Sequence, residues 1–206
     1  MIYVFDLDGT LINSFDRHVK VLKNSMEICG IDFNIDEREY INYKKEGKNN
    51  KAYLKNILYL DDDSILRVTK KWEELIEQRP YTLLDCLYFD VMQVLDILSN
   101  KHDIYYLTAR KEAVGLLQDL DRLGIAAYSK NTIIVNPKNA LREKTEELYK
   151  LKSSNEAIVM IGDTEVDYEA ASKNNCNVYI VNRGFRSLEY WNRLGVTTYE
   201  NLLKLL

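Results

Sequence analysis

The sequence predicts an α/β fold in which a parallel β-sheet lies between helices and a helical domain is inserted after the first strand. Short apolar runs alternate with helical patterns along most of the chain, which is typical of parallel strands that are buried on both faces. The first two apolar runs, at 2–5 and 104–107, lie much further apart than one connecting helix requires. We therefore expect a Rossmann-like, three-layer α/β/α core that carries an inserted α-helical cap domain.

Five apolar runs predict the strands of the sheet. Each run is too short for a typical helix and is rich in β-branched and aromatic residues, which favour strands. Their nearly uninterrupted apolar character predicts that helices cover both faces of the sheet. The runs are IYVF at 2–5, IYYL at 104–107, TIIV at 132–135, AIVMI at 157–161 and VYIV at 178–181.

Helical patterns occupy the intervals between the later strands. In the first of them, apolar residues recur every three or four positions behind Asp90, a residue type suited to the N-cap. In the second, the pattern stops at Gly124, a residue type that commonly ends helices. The predicted helices are 91–99, 111–123, 144–152 and 166–174.

The long interval after the first strand predicts a second structural unit. Four of its segments have helical patterns and are strongly charged, and Pro80 follows the last of them. We expect an α/β catalytic core from residues 1–12 and 83–206, with residues 13–82 as the helical cap insertion. The four helical segments are 15–29, 36–46, 50–60 and 62–78.

The composition argues against several classes of function. The chain has 28 basic and 32 acidic residues and a formal net charge of -4, so we do not expect it to bind nucleic acid. Its apolar runs are shorter than a membrane span requires, so we expect no membrane partner. Its 3 cysteines lie far apart in the sequence, a pattern that favours reduced thiols over a disulfide framework. We therefore expect a cytoplasmic protein.

Polar residues directly follow three of the predicted strands. Ligands of open parallel sheets bind at the carboxyl ends of the strands, so we expect these residues to meet at one edge. Carboxylates that converge there cannot all stay ionised without a cation. Because only oxygen ligands are offered, the sequence favours a hard ion, with Mg²⁺ as the obvious candidate. The residues are Asp6 and Asp8, then Thr108, Ala109 and Arg110, then Asp163 and Asp167.

The same edge offers groups that can contact phosphate. Thr108 provides a hydroxyl, the turn at 108–110 provides backbone N–H groups, and Arg110 provides a guanidinium. A lysine is still needed to balance the negative charge of the site. We prefer Lys144 because KTEELYKL has the pattern of a helix start, whereas Lys138 becomes the better candidate if the preceding proline opens the helix.

Three sequence motifs resemble those of the haloacid dehalogenase-like (HAD) superfamily, in its phosphatase branch. FDLDGTL at 5–11 is similar to the first signature of that family, Asp-x-Asp-x-Thr, and LTAR at 107–110 is similar to the second. GDTEVD at 162–167 is similar to the fourth, and the third is a single lysine. With an inserted helical cap, the chain most resembles phosphoglycolate phosphatase-like members.

The resemblance implies a Mg²⁺-dependent phosphatase that hydrolyses a small phosphomonoester through an aspartyl-phosphate intermediate. Asp6 would be the nucleophile, and Asp8 would act as acid and then as base. Thr108 and Lys144 would hold the phosphoryl group, next to Ala109 and Arg110. The resemblance also implies a metal site formed by Asp6, the main-chain carbonyl of Asp8, Asp163 and, by fixing metal-bound water, Asp167.

Several alternatives stay open at this point. The same motifs suit a phosphotransferase such as a sugar-phosphate mutase, or a non-catalytic module that binds phosphate or metal. The substrate class extends over sugar phosphates, phosphoglycolate and nucleotides, and the oligomeric state is not predicted. A lysine cluster in the insertion favours a solvated helix face over an anion-attracting lid. His18 and His102 lie outside the strand ends and are assigned no chemistry; the lysines are Lys44, Lys45, Lys48, Lys51 and Lys55.

Overall fold

A six-stranded, fully parallel sheet forms the centre of the computed structural model, which describes residues 1–152 and 157–206. The strands are β1 (Ile2–Phe5), β2 (Ile12–Asn13), β3 (Cys86–Leu87), β4 (Asp103–Thr108), β5 (Asn131–Ile134), β6 (Ile158–Gly162), β7 (Asn177–Val181) and β8 (Thr198–Tyr199). The order across the sheet is β5-β4-β1-β6-β7-β8, whereas β2 and β3 form a separate pair. The predicted α/β fold class with a parallel sheet is confirmed.

Helices cover both faces of the sheet, and a separate group of helices lies between β2 and β3 in the chain. They are α1 (Phe15–Ile28), α2 (Glu37–Lys45), α3 (Asn50–Asn56), α4 (Asp62–Leu75), α5 (Arg79–Thr82), α6 (Val91–Ser99), α7 (Ala113–Arg122), α8 (Ala140–Lys152), α9 (Glu165–Lys173) and α10 (Leu188–Arg193). Short 3₁₀ turns occupy 126–128, 137–139 and 203–205.

The alternation of side chains along β1 explains the three layers. Tyr3 and Phe5 point into a hydrophobic cluster that also contains the apolar faces of α6 and α7. Ile2 and Val4 point to the opposite side, where α8 and α9 contribute to a second cluster. Because successive residues of a strand face opposite sides, a strand that is apolar at every position must be covered on both faces.

Helices α1 to α4 pack around a hydrophobic core of their own, and α5 follows them in the chain before β3. Tyr40, Tyr53 and Leu54 are fully buried in this cluster, together with apolar residues of α1 and α4. The helices are shorter than the sequence pattern predicts, because α3 ends at Asn56 and α4 ends at Leu75. The helical character that the sequence predicts for this interval is present, and we refer to α1–α5 as the insertion helices.

Helix α8 begins earlier than the sequence pattern indicates. The predicted helix starts at Lys144, whereas the observed helix starts at Ala140 and follows the 3₁₀ turn at 137–139. Pro137 opens that turn, and the side chain of Asn136 accepts a hydrogen bond from the N–H of Lys138. Lys144 therefore lies one turn inside the helix, so the reason we gave for preferring it over Lys138 is wrong.

Strands β2 and β3 form a short antiparallel pair that the sequence does not predict. Ile12 pairs with Leu87 and Asn13 pairs with Cys86, so the chain enters and leaves the insertion helices at adjacent positions. Two-residue strands are too short to produce a periodic signal. Within residues 1–152 and 157–206, no helix is long and apolar enough to cross a membrane.

Candidate active site

The carboxylate of Asp6 lies at the carboxyl end of β1, at the edge of the sheet where the polar residues were predicted to meet. The backbone N–H of Asp6 donates to the carbonyl of Ile161 in β6, which fixes this position between the two strands. The chain then turns at Gly9, whose φ of 87° lies in the left-handed region that favours glycine. This turn places Thr10 so that its hydroxyl donates to Asp163 Oδ1 over 3.2 Å.

Three buried carboxylates meet at this edge. Oxygen atoms of Asp6, Asp163 and Asp167 all lie within 4.8 Å of one another. Asp163 Oδ2 accepts a hydrogen bond of 2.6 Å from the N–H of Phe185. Asp167 Oδ2 accepts one of 2.8 Å from the hydroxyl of Thr164. The arrangement therefore has the shape of a metal site, formed by residues that follow β1 and β6.

The electrostatics of these acids fit a bound cation. Burial raises the pKa of Asp6 to about 7, although Lys144 opposes this shift. Burial and the neighbouring carboxylate of Asp6 raise the pKa of Asp163 well above its usual range. Anions held this close together are stabilised by a positive charge. Since the donors are carboxylate oxygens, the residues present fit a hard divalent ion such as Mg²⁺.

Lys144 provides the cation that touches this cluster. Its Nζ lies 2.6 Å from Asp6 Oδ1 and 2.6 Å from Asp167 Oδ1, and its side chain is buried. Burial alone would lower the pKa of Lys144, but the two carboxylates raise it above its usual range. Lys138 is exposed, and it lies at the border of the cavity that opens over Asp6. Of the two lysines, the structure brings Lys144 to the acids.

Asp8 does not belong to this cluster of three acids, and its carboxylate pairs with two arginines. Arg110 donates to both carboxylate oxygens of Asp8, from Nε to Oδ2 over 2.8 Å and from Nη2 to Oδ1 over 2.8 Å. Arg17, from α1, also donates to Asp8 Oδ1. Although burial opposes the shift, Arg110 and Arg17 hold the pKa of Asp8 below its usual range. The side chain of Asp8 is therefore a carboxylate in this arrangement.

A second buried acid aligns the two arginines. Asp85 Oδ1 lies 3.0 Å from Arg17 Nε, and Asp85 Oδ2 accepts a hydrogen bond of 2.8 Å from Arg110 Nη2. Arg110 Nη1 also contacts Asp119 over 3.3 Å. Arg110, which the sequence predicted to contact phosphate or substrate, therefore forms ion pairs with carboxylates of the protein. Asp85 therefore connects Arg17, which belongs to the insertion helices, with Arg110, which belongs to the core.

A cavity of about 440 Å³ opens over Asp6. Thr108, at the end of β4, borders it together with Ala109, so the predicted phosphate-contacting residues lie beside Asp6 and Lys144. The border of the cavity that comes from the insertion helices includes Arg17, His18, Trp72 and Ile76. Phe185, which follows β7, completes this side.

The sequence analysis did not identify the residues that the insertion helices contribute. His18 was assigned no chemistry, yet it borders the cavity and packs against Trp72 and Phe185, with ring centroids 5.4 and 4.7 Å apart. The sequence holds a signal for Arg17, because this residue lies four positions before Val21 and eight before Ser25 and therefore on the same face of a helix. In the structure, all three side chains of this face are buried. A charged residue at a buried helical position indicates a polar partner.

Fold and site together define a class of protein: an α/β enzyme core with an acid cluster at its strand ends, beneath helices inserted after the first strand. A family profile described as haloacid dehalogenase-like hydrolase matches residues 3–181. The chain belongs to the haloacid dehalogenase-like hydrolase family, as the sequence motifs indicated. No curated protein shows significant sequence similarity to it.

Solved structures share this fold over nearly their whole length. A phosphatase candidate from Clostridium difficile is 21% identical, with a TM-score of 0.79, covering 99% of this chain and 95% of that one. A protein described as a predicted phosphatase from Clostridium acetobutylicum is 22% identical, with a TM-score of 0.72 and coverage of 99% and 94%. A phosphoglycolate phosphatase candidate from Lactobacillus delbrueckii is 15% identical, with a TM-score of 0.74 and coverage of 99% and 95%.

Proposed function

We propose that this chain is a Mg²⁺-dependent phosphatase that hydrolyses a small phosphomonoester through an aspartyl-phosphate on Asp6. The observation that carries the proposal is the position of the Asp6 carboxylate: it is buried beside Lys144 and the two other acids and borders the cavity. A nucleophile at the base of a cavity, flanked by a cation, is suited to attack a phosphorus atom that enters from above. Family membership and the phosphatases among the structural relatives agree with this proposal.

In the first step, an Asp6 oxygen forms a bond to phosphorus and the ester bond to the leaving oxygen breaks. The ammonium of Lys144 and the hydroxyl of Thr108 hold the phosphoryl oxygens while charge develops on them. The leaving oxygen takes the proton that Asp8 accepted from water at the end of the previous turnover. The ion pairs of Asp8 with Arg110 and Arg17 oppose this protonated form, so the geometry supports the role of Asp8 as the base of the second step more directly. The products of this step are the free alcohol and the aspartyl-phosphate.

In the second step, water attacks phosphorus and the bond between phosphorus and Asp6 breaks. Asp8 accepts the proton of this water, and its ion pairs with Arg110 and Arg17 favour the carboxylate form that does so. Asp6 returns to a carboxylate and inorganic phosphate leaves. Asp6, the main-chain carbonyl of Asp8 and Asp163 would hold Mg²⁺, with Asp167 fixing its water, and the ion would neutralise charge between Asp6 and the anionic substrate.

Hydrolysis of 4-nitrophenyl phosphate tests this function. We expect activity with Mg²⁺, loss of activity with a chelator, and loss of activity in Asp6→Asn. Asp96→Asn is the matched control, because Asp96 is exposed on α6 and should leave the rate unchanged. Robust turnover by Asp6→Asn would contradict the proposed chemistry.

The two alternatives give different products in the same kind of assay. A phosphotransferase would convert one sugar phosphate into its isomer without releasing inorganic phosphate, because a substrate hydroxyl would replace water. A non-catalytic module would release no phosphate from any sugar phosphate, nucleotide or phosphoglycolate. Measuring inorganic phosphate and sugar-phosphate isomers side by side distinguishes all three.

A further inference from the structure

Asp90 occupies the N-cap position of α6, but its side chain is used elsewhere. The carboxylate is buried and, within the described part of the chain, makes no capping hydrogen bond to the helix. Its Oδ1 instead accepts a hydrogen bond of 2.6 Å from Arg183 Nη1, and its Oδ2 accepts one of 2.6 Å from the N–H of Leu202. A buried carboxylate is costly unless it is paired, so these partners indicate what Asp90 holds in place.

Arg183, which follows β7, carries the contact from Asp90 to the turn after β1. Its Nη2 donates to the main-chain carbonyl of Thr10 over 2.7 Å. Its guanidinium carbon lies 4.1 Å from the centroid of the Tyr88 ring. Because a guanidinium presents its donors in a fixed planar fork, an acid that holds one nitrogen also sets the direction of the other. Asp90 and Tyr88 therefore direct Arg183 at Thr10.

Thr10 connects this contact to the acid cluster. Its hydroxyl donates to Asp163 Oδ1 over 3.2 Å, and the residue is fully buried. The carbonyl that Arg183 holds and the hydroxyl that Asp163 accepts from belong to the same residue. Asp90, Arg183, Thr10 and Asp163 therefore form one chain of contacts from α6 to a candidate metal ligand.

The residues that follow Arg183 restrict the other oxygen of Asp163. The N–H of Phe185 donates to Asp163 Oδ2 over 2.6 Å. A β-carbon at Gly184 would lie 2.2 Å from the same oxygen, so the backbone passes close to it. The segment 183–185 thus holds one oxygen of Asp163 directly and the other through Thr10. A metal ligand that is oriented before the ion arrives loses less freedom when it binds.

We propose that Arg183, held by Asp90, is a positioning residue for Asp163 and, through Asp163, for the binding of Mg²⁺. The inference rests on the metal site of the proposed function, to which it adds two residues that do not border the cavity over Asp6. Removing a partner that orients a metal ligand typically lowers metal affinity by about 10-fold to 100-fold. We expect the effect of Arg183 to lie near the lower end, because it acts through Thr10.

Titration with Mn²⁺ tests this role without turnover. Mn²⁺ binds to the same kind of oxygen ligands as Mg²⁺, and the free ion is measured by electron paramagnetic resonance. Arg183→Met should raise the Kd of Mn²⁺ about tenfold, and added Mg²⁺ should compete with Mn²⁺ in the wild type. Arg38→Met is the matched control, because Arg38 is exposed on α2 and its loss should leave the Kd unchanged.

A double variant keeps the test valid if Arg183→Met is poorly folded. Breaking a buried ion pair leaves Asp90 as an uncompensated charge, whereas Arg183→Met combined with Asp90→Asn removes both charges and keeps an acceptor for the N–H of Leu202. Because the two residues act in one chain of contacts, the double variant should raise the Kd no further than Arg183→Met alone. Urea denaturation of the metal-free proteins measures the stability of each variant.

Hydrogen exchange of the metal-free protein shows where the effect occurs. In the wild type, the N–H groups of Thr10 and Leu11 donate to the carbonyl of Leu7 and should be protected. Without Arg183, amides of the turn at 7–12 should exchange faster, whereas amides of β4 should keep their protection. Faster exchange throughout the sheet would indicate general loosening and would overturn the proposed role.

The remaining outcomes separate this inference from the proposed function. Kd values for Mn²⁺ that Arg183→Met and the double variant leave unchanged overturn it, even if both variants are less stable. A raised Kd without faster exchange in the turn also overturns it, because the effect would then not pass through Thr10. A wild type that binds no Mn²⁺ overturns the inference together with the metal site. Failure to hydrolyse 4-nitrophenyl phosphate, with the expected Mn²⁺ titrations, would defeat the phosphatase function alone.

Discussion

Replacing Gly9 by alanine should destabilise the protein for two separable reasons. Gly9 has a φ of 87°, a backbone conformation that costs an L-residue about 1–2 kcal/mol. A β-carbon at this position would also lie 2.3 Å from Asp163 Oδ2. Asp163 is fully buried and held by the N–H of Phe185 and the hydroxyl of Thr10, so it cannot move away freely.

The magnitude follows from adding these two costs. Forcing an extra group into a well-packed site costs about 1–3 kcal/mol. Together with the backbone cost, the free energy of unfolding should fall by about 2–5 kcal/mol in Gly9→Ala. Because the displaced side chain is Asp163, a candidate metal ligand, the proposed phosphatase activity should fall in the same variant and should require a higher Mg²⁺ concentration.

Two other glycines separate the two causes. Gly124 has a φ of 74°, and among the described residues no neighbouring atom lies within 4 Å of the position that a β-carbon would take there. Gly124→Ala therefore carries the backbone cost alone. A β-carbon at Gly184 would lie 2.2 Å from Asp163 Oδ2 and 2.4 Å from the carbonyl oxygen of Gly9, so Gly184→Ala tests the steric cost.

Urea denaturation followed by circular dichroism measures all three variants. We expect Gly124→Ala to lose about 1–2 kcal/mol and to keep full activity. Gly9→Ala should lose at least about 1 kcal/mol more than Gly124→Ala. Equal losses in these two variants, with activity retained in both, would refute the reasoning that Asp163 is confined by the glycine turn.

Three further changes have outcomes that the structure specifies. Lys144→Met leaves the carboxylates of Asp6 and Asp167 without their shared cation, so 4-nitrophenyl phosphate hydrolysis should fall by about 100-fold or more while circular dichroism still shows a folded chain. Because the pKa of Lys44 is about 7 in the folded protein and ordinary in the unfolded chain, wild-type stability should rise as pH increases from about 7 to 10.5. Lys44→Met should therefore be more stable than the wild type near pH 6, by about 1–2 kcal/mol after allowance for partial exposure, and this advantage should shrink towards pH 10.5 in urea titrations. Asp85→Ala removes a buried partner of two arginines and should cost about 3 kcal/mol in the same titrations, whereas an unchanged midpoint would show that the ion pairs contribute little.

The strands and their shared edge could be predicted from the sequence because both follow from local patterns and one topological rule. Parallel strands buried on both faces require nearly continuous apolar runs, and β1, β4 and β6 have them. Once the sheet is parallel, residues that follow different strands must emerge at the same edge. Asp6 and Asp163 are far apart in sequence but meet for this reason.

The contribution of the insertion helices could not be predicted in the same way. Whether Lys44 is exposed depends on Trp72 and Phe185, which belong to other elements and lie far from it in sequence. The local sequence around Lys44 is polar and therefore indicates a solvated surface. Arg17 and His18 likewise face the site because α1 begins at Phe15, just after the turn that carries Asp8 and the two residues of β2.

The start of α8 shows a third kind of limit. The segment NPKNALRE contains two Asn and a Pro, which favour a loop, and the helix nevertheless begins at Ala140. The hydrogen bond from Asn136 N–H to the carboxylate of Glu143 links the loop to the helix, and this contact is not encoded in residue propensities. Helix ends depend on such individual contacts more than on the average composition of the segment.

The pairing of β2 with β3 makes the helical region a module that can be exchanged. Since Ile12 pairs with Leu87 and Asn13 with Cys86, the two ends of the inserted segment stand side by side, like the two ends of a hairpin. A tight turn between these strands would close the chain without disturbing the sheet order, whereas the contacts of Arg17 with Asp8 and Asp85 would be lost together with the segment. Diversification of the region above a fixed reaction centre therefore requires no rearrangement of the sheet in this chain.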